Sequence, residues 1–382
     1  MIGFRVERTS GHARAGMLET PHGSVPTPAF MPVGTQATVK GLDADELART
    51  GAKMLIMNTY HLLLRPGPEV IAEHGGLHGF SRIALPIATD SGGFQAFSLS
   101  PRVRLGEDGF EFSSHLDGRR FLLSPEEAMR VQGLLGSDIA MQLDVCPPAG
   151  APRTELEAAV ARTTRWAERC LGAKKSGQAL FGIVQGGTDR ELRHAHAETL
   201  GKLPLDGLAL GGFSVGEPNA EMHRTLVDVV PRLDAERPRY VMGVGTPADL
   251  VRAVGSGVDL FDCVLPTRNA RNGMAFVASG RVVVKNSEHK ASQLPLEEGC
   301  PCTACSKGYS RAYLRHLYLA REMLAGKLLT EHNLTFYGRL VADARRAVVS
   351  GEYSRWAEAR LVALDGTDDE PEEGPEPRGR GD

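Results

Sequence analysis

Three aspartates close short apolar runs, each in a setting suited to chemistry. Asp90 opens Asp90-Ser91-Gly92-Gly93-Phe94-Gln95, where glycines let a backbone approach a ligand closely. Asp144 ends Met141-Gln142-Leu143-Asp144 and precedes Val145-Cys146-Pro147-Pro148. Asp262 sits within Asp259-Leu260-Phe261-Asp262-Cys263-Val264-Leu265-Pro266-Thr267-Arg268. Two carboxylates on different strands can divide the work at an anomeric carbon, one as nucleophile and one as general acid/base, with oxocarbenium-like charge held between them. A third acid beside amide-bearing groups suits a purine-like heterocycle, whose ring N–H and amino donors need a carboxylate acceptor. Gln185, in Gly182-Ile183-Val184-Gln185-Gly186-Gly187, and the backbone of Gly211-Gly212-Phe213 offer such partners at other run ends. The competing reading of each aspartate is a cap for the helix that follows.

A second group has ligand chemistry. Cys300-Pro301-Cys302-Thr303-Ala304-Cys305, followed by His332, supplies three soft thiolates and one imidazole, the donor set of tetrahedral zinc. The stretch Tyr313 to Lys327 reads as a helix with His332 beyond it, so the imidazole can fold back onto the thiolate loop. Four protein ligands leave no open position, which makes such a zinc structural. The competing reading is a reactive-cysteine loop, with His316 and His332 as ordinary surface residues.

The elements that must position these groups are short β-branched runs separated by polar helical stretches. Strands are predicted over 29–33, 54–58, 87–90, 138–144, 180–185, 207–211, 239–243 and 258–262. Between them, Ser124-Pro125-Glu126-Glu127 and Thr246-Pro247-Ala248-Asp249 place a cap, a first-turn proline and acids in helix-starting order. Strand–helix alternation implies parallel strands, and eight such units predict an α/β fold closed as a (β/α)8 TIM barrel, which gathers catalytic groups where its strands end. Residues 101–123 alternate in period two and read as an antiparallel excursion, and 274–285 as a hairpin. The division predicted is a catalytic barrel over 1–272 with N-terminal and 101–123 β excursions, a hairpin plus zinc-binding helical subdomain over 273–364, and an acidic tail over 365–382. The tail carries eight acids, three prolines and two arginines, too little apolar surface to repay its ordering entropy, and is predicted to be disordered.

Composition narrows the setting. With 42% hydrophobic and 24% charged residues the chain is globular rather than disordered. No apolar run approaches the roughly 20 residues of a membrane span, and Met1 to Glu7 lacks the apolar core of a signal peptide. Six cysteines, three crowded between 300 and 305, are no disulfide framework and indicate a reducing, cytoplasmic setting. The net charge of −3 hides an uneven distribution: from Arg268 to Arg346 thirteen Lys/Arg face six Asp/Glu, a balance of +7 that suits a polyanionic partner.

The motifs together resemble the tRNA-guanine transglycosylase family, in its bacterial queuine tRNA-ribosyltransferase form, from about residue 3 to residue 345. The resemblance is carried by the Asp90, Gln185 and Asp262 motifs above, by Gly211-Gly212-Phe213-Ser214-Val215-Gly216-Glu217, by Val241-Met242-Gly243-Val244-Gly245 and by the Cys-x-Cys-x-x-Cys…His set. It implies a pentosyltransferase that exchanges the wobble guanine of tRNAs with a GUN anticodon for 7-aminomethyl-7-deazaguanine (preQ1), without external cofactor beyond one structural Zn2+ per subunit. Asp262 would be the nucleophile on ribose C1′ and Asp90 the general acid/base. Asp144, Gln185 and the Gly212 backbone would read the purine edge, with Ser91 and Met242 lining the site. Arg268 and Arg271 match positions that contact the neighbouring nucleotides, Cys300, Cys302, Cys305 and His332 would hold the zinc, and a homodimer is implied. Cys146, a small thiol two residues after Asp144, implies preQ1 rather than bulky queuine as the incoming base. Phe213 stands where the family most often has Leu, and Val145 where many bacterial members have Glu. Retention of both Asp90 and Asp262 argues against a non-catalytic tRNA-binding subunit, and the zinc set with Arg268 and Arg271 argues against a barrel glycosidase.

Overall fold

The computed structural model describes residues 2–99 and 103–364. The acidic tail and the first two residues of the predicted 101–123 excursion lie outside them. Three antiparallel strands come first, β1 (Gly3–Ser10), β2 (Ala13–Thr20) and β3 (Gly23–Thr27). All eight predicted barrel strands follow. They are β4 (Ala29–Gly34), β5 (Leu55–Met57) and β6 (Ile87–Thr89), then, after the excursion β7 (Val103–Leu105), β8 (Phe110–Ser113) and β9 (Arg120–Leu123), the strands β10 (Ile139–Met141), β11 (Ala179–Val184), β12 (Gly207–Leu210), β13 (Arg239–Val241) and β14 (Leu260–Cys263). The parallel ladder runs in chain order and closes where β14 pairs with β4, while β6 pairs directly with β10 across the excursion. The TIM barrel and its antiparallel additions are thus as predicted, although β10 is shorter, because the chain leaves the ladder after Met141.

Alternation along each strand sorts the side chains. Ala29, Met31, Ile56, Ala88, Met141, Ile183, Tyr240 and Leu260 fill the interior, whereas Phe30, Leu55, Ile87, Ala140, Leu180 and Phe261 pack outward beneath the helices. Both faces are buried, which is why the strands read as near-continuous apolar runs. Leu18 of β2 and Val25 of β3 are fully buried in the interior cluster, so the N-terminal sheet plugs the foot of the barrel. A buried fork from Arg14 to both oxygens of Asp259, at 2.9 and 2.7 Å, fastens that sheet to the start of β14. At the opposite end the same alternation, carried one step past the apolar layer, turns Asn58, Asp90, Gln185, Met242 and Asp262 toward the mouth: each lies two residues beyond an interior side chain.

After β14 come the helix Leu265–Arg271 and the predicted hairpin, β15 (Met274–Val277) and β16 (Gly280–Val283). The helix predicted over 313–327 is two helices, Arg311–Leu319 and Met323–Val349. The first ends at Arg321, which takes a left-handed φ of 58° while the Glu322 N–H returns to the Leu317 carbonyl. A stop without glycine leaves no ordinary sequence signal. The second helix runs 27 residues and carries His332 within it rather than beyond its end. Its early residues Ala325, Leu328 and Leu329 pack around Cys300 and Cys302, and Leu334, Tyr337 and Leu340 pack into the barrel's outer core. Gly338 is required for that docking, since a Cβ there would lie 2.7 Å from the Thr50 carbonyl oxygen. Among the described residues no helix is long and apolar enough to cross a membrane.

Candidate active site and metal centre

At the mouth, Asp90 is held through both carboxylate oxygens. The Asn58 amide donates to Oδ2 at 2.6 Å, and the Thr59 and Gly92 N–H groups donate to Oδ1 at 2.8 and 3.2 Å. Burial pushes its pKa up to about 7, the Thr59 and Gly92 N–H groups pull the other way, and the charges of Asp262 and Asp144 add to the rise. Asp262 is held on one side only. The Tyr240 hydroxyl donates to its Oδ1 at 2.5 Å and the Gly243 N–H to the same oxygen at 2.8 Å, so that among the described residues Oδ2 receives no hydrogen bond. Burial raises the Asp262 pKa as well, and raises that of Tyr240 far above the usual phenol value. None of these contacts is a cap for the following helix, and Leu265–Arg271 has no side-chain cap.

Asp144 stands on the neighbouring wall. Gln185 Nε2 donates to its Oδ2 at 2.6 Å and the Ser91 hydroxyl lies 3.5 Å from its Oδ1. Burial pushes its pKa up to about 6, against those hydrogen bonds. Gly212, at φ 70°, closes the same wall, and a Cβ there would come within 2.5 Å of Gln185 Oε1. Met242 packs against the interior cluster beside Tyr240. A cavity of about 120 Å3 opens next to Asp144, lined by Gly93, Phe94, Val145 and Cys146. The thiols nearby are not nucleophiles at neutral pH: burial pushes Cys146 and Cys263 up to about 12.

The structure therefore brings Asp90, Asp262, Ser91, Asp144, Gln185, Gly212 and Met242 to one mouth. Arg268 and Arg271 are exposed on the helix that leaves β14. Asn58, Tyr240 and Phe94 were not singled out from the sequence. Asn58 carried a signal, since it follows Ile56 by two as Asp90 follows Ala88. Tyr240 carried none, because a tyrosine in an apolar run reads as core.

Cys300, Cys302 and Cys305 surround His332 Nδ1, with sulfur–nitrogen distances of 3.6, 3.3 and 3.5 Å. Tetrahedral zinc with Zn–S of about 2.3 Å and Zn–N of about 2.0–2.1 Å has an S···N edge of about 3.6 Å. His332 Nε2 lies 2.8 Å from the Phe276 carbonyl, which can only accept; the proton is therefore on Nε2 and the Nδ1 lone pair faces the sulfurs. The residues beside His332 build the support: Glu331 accepts from the Thr303 N–H and hydroxyl, and Asn333 bonds Phe276, Pro266 and Met274. The cluster can hold a metal ion, and its donor chemistry fits zinc.

A family model described as queuine tRNA-ribosyltransferase matches residues 9–365. A queuine tRNA-ribosyltransferase of Sorangium cellulosum is 63% identical over 355 residues, covering 93% of this chain and 90% of that protein. Proteins of the same name from Solidesulfovibrio magneticus and Nitratidesulfovibrio vulgaris are each 51% identical, over 94% and 92% of this chain and 97% and 95% of their own lengths. The reach of these matches, together with the barrel that carries the carboxylates, places the chain in the queuine tRNA-ribosyltransferase family of pentosyltransferases.

Proposed function

We propose that the protein exchanges the wobble guanine of tRNAs with a GUN anticodon for preQ1, by double displacement through a ribosyl-aspartate. The observation that carries this reading is the one-sided anchoring of Asp262, which leaves Oδ2 as a free nucleophile within the electrostatic reach of Asp90. Oδ2 bonds to ribose C1′ as the bond from C1′ to guanine breaks, and Asp90 gives its proton to the departing base. The incoming base then yields its ring proton to Asp90, its nitrogen bonds to C1′, and the Asp262 carboxylate is released. One glycosidic bond replaces another with net retention, so no external energy source enters.

Asp144 accepts from the ring N–H and amino groups of the base, while Gln185 and the Gly212 N–H face its exocyclic oxygen. Ser91 and Met242 line the pocket. Arg268 and Arg271, exposed three residues apart beyond Asp262, take the adjacent nucleotides. Residues 273–364 form a zinc-stabilised module beside the barrel, and the protein works in the cytoplasm as a homodimer.

The relatives' name carries the bulkier base, queuine; preQ1 is favoured here by the resemblance to members with a small thiol at Cys146, which lines the cavity beside Asp144. Overfilling a packed pocket costs about 1–3 kcal/mol, or about 5–150-fold in affinity. The comparison that decides is kcat/KM for guanine, preQ1 and queuine with one unmodified tRNA. PreQ1 should exceed queuine by at least the lower end of that range, and queuine matching preQ1 would overturn the base assignment while leaving the carboxylate roles standing.

One Zn2+ per chain is expected by metal analysis. It would be held by Cys300, Cys302, Cys305 and His332, and would act on stability rather than chemistry. Structural zinc contributes on the order of 10 kcal/mol in small isolated fingers, and less in a supported module. Cys302→Ala should lower the melting temperature and yield, whereas purified protein without stoichiometric zinc would contradict the assignment.

A further inference from the structure

Arg193, on the helix Arg190–Gly201, is wholly buried behind the wall that carries Gln185 and Gly212. Its guanidinium has no carboxylate within ion-pair distance among the described residues. It spends its donors on three backbone carbonyls: Nε on Gly187 at 2.5 Å, one terminal nitrogen on Val184 at 3.1 Å and the other on Gly211 at 2.8 Å. Its plane lies over the Phe213 ring, 3.9 Å from the centroid. Burial draws its pKa down to about 9, so it is still a cation at neutral pH. A buried cation with no carboxylate in contact, and with only the more distant charge of Glu217 to favour it, is costly to keep. The carbonyls it holds flank Gln185 and Gly212, the turns after β11 and β12.

We propose that Arg193 is a positioning residue for base recognition, which clamps the Gly211 carbonyl outward and thereby turns the Gly212 N–H into the pocket. The peptide between Gly211 and Gly212 is trans, so its C=O and N–H point in opposite directions. Fixing the carbonyl on Arg193 therefore fixes the N–H on the far side, and that N–H donates to no group among the described residues. Bonding the carbonyl to a cation also polarises the peptide and strengthens its N–H as a donor. The free conformation of Gly212, at φ 70°, would otherwise let the peptide rotate. The group that such a donor recognises is the exocyclic oxygen of an oxo-purine whose ring N–H and amino group face Asp144. Lysine, a point charge on a flexible stem, cannot hold three diverging carbonyls.

The inference rests on the base pocket described above, and the test separates the two. Dissociation constants for guanine and 6-thioguanine are measured by calorimetry on the wild-type protein, Arg193→Met and Arg193→Lys. 6-Thioguanine keeps both donors facing Asp144 and replaces the oxygen by sulfur, a weak acceptor. The wild-type protein should prefer guanine. Arg193→Met should weaken guanine about tenfold, the worth of one good hydrogen bond, and leave 6-thioguanine within about twofold, with Arg193→Lys shifted the same way. A dissociation constant does not depend on the folded fraction of the sample, and Arg193→Lys carries the comparison if the methionine variant is insoluble. Equal weakening of both bases, or an unchanged preference, overturns the inference in favour of a general structural role. A wild-type protein indifferent to the sulfur would overturn the pocket reading itself.

Discussion

Asp262→Asn is expected to form no tRNA adduct that survives denaturation, while tRNA binding persists. The side chain keeps its volume, and Oδ1 can still accept from the Tyr240 hydroxyl and the Gly243 N–H. What is lost is the unbonded carboxylate oxygen, because an amide nitrogen has no lone pair free to attack C1′. Binding survives because phosphate contacts supply most of the affinity of such complexes. The measurement is a denaturing gel of enzyme mixed with unmodified tRNA, beside a filter-binding titration. Adduct at full yield in the variant would remove Asp262 from the nucleophile role.

Asp90→Asn is expected to slow turnover by about 10²–10⁴-fold, the usual worth of a positioned acid/base. The amide keeps one acceptor for the Thr59 and Gly92 N–H groups but sets its own NH2 against the Asn58 amide that donates to Oδ2, so a melting curve measured beside the kinetics separates local repacking from lost chemistry. A pH signature accompanies the loss. With its pKa raised to about 7, Asp90 is protonated below that pH and ionised above it. Departure of guanine consumes the protonated form, so kcat/KM for tRNA should fall as the pH rises through about 7, while protonation of Asp144, whose pKa is pushed up to about 6, and of the nucleophile Asp262 gives a separate fall on the acid side. That alkaline limb should vanish in Asp90→Asn. A variant with the limb intact would assign it to another group.

Much of this arrangement is legible in the sequence. Strand ends mark themselves by composition, and Asp90, Asp144, Gln185 and Asp262 each close an apolar run of barrel length. The Cys300, Cys302, Cys305 and His332 cluster, which can hold a metal ion, was legible from donor type and spacing. The continuous helix through His332 was not, because its start depends on a left-handed turn at Arg321, a residue that sequence rules do not associate with such turns. Tyr240, Asn58 and Arg193 were hidden for a different reason. Each acts on a group distant in sequence, as Tyr240 does on Asp262 and Arg193 on Gly211, and pairwise reach of that kind is fixed by tertiary packing rather than local pattern.

The alternation that fills the barrel also aims its carboxylates, and this constrains how such a gene can vary. Deleting one codon within β14 would swing Asp262 from the mouth to the helix-facing side and turn Phe261 inward, losing reactivity and core together. Codons added to the loops beyond the strands carry no such penalty, as the excursion between the paired strands β6 and β10 illustrates. Heritable changes of length are thus channelled to the rim, where they reshape what the enzyme grips without disturbing what it does.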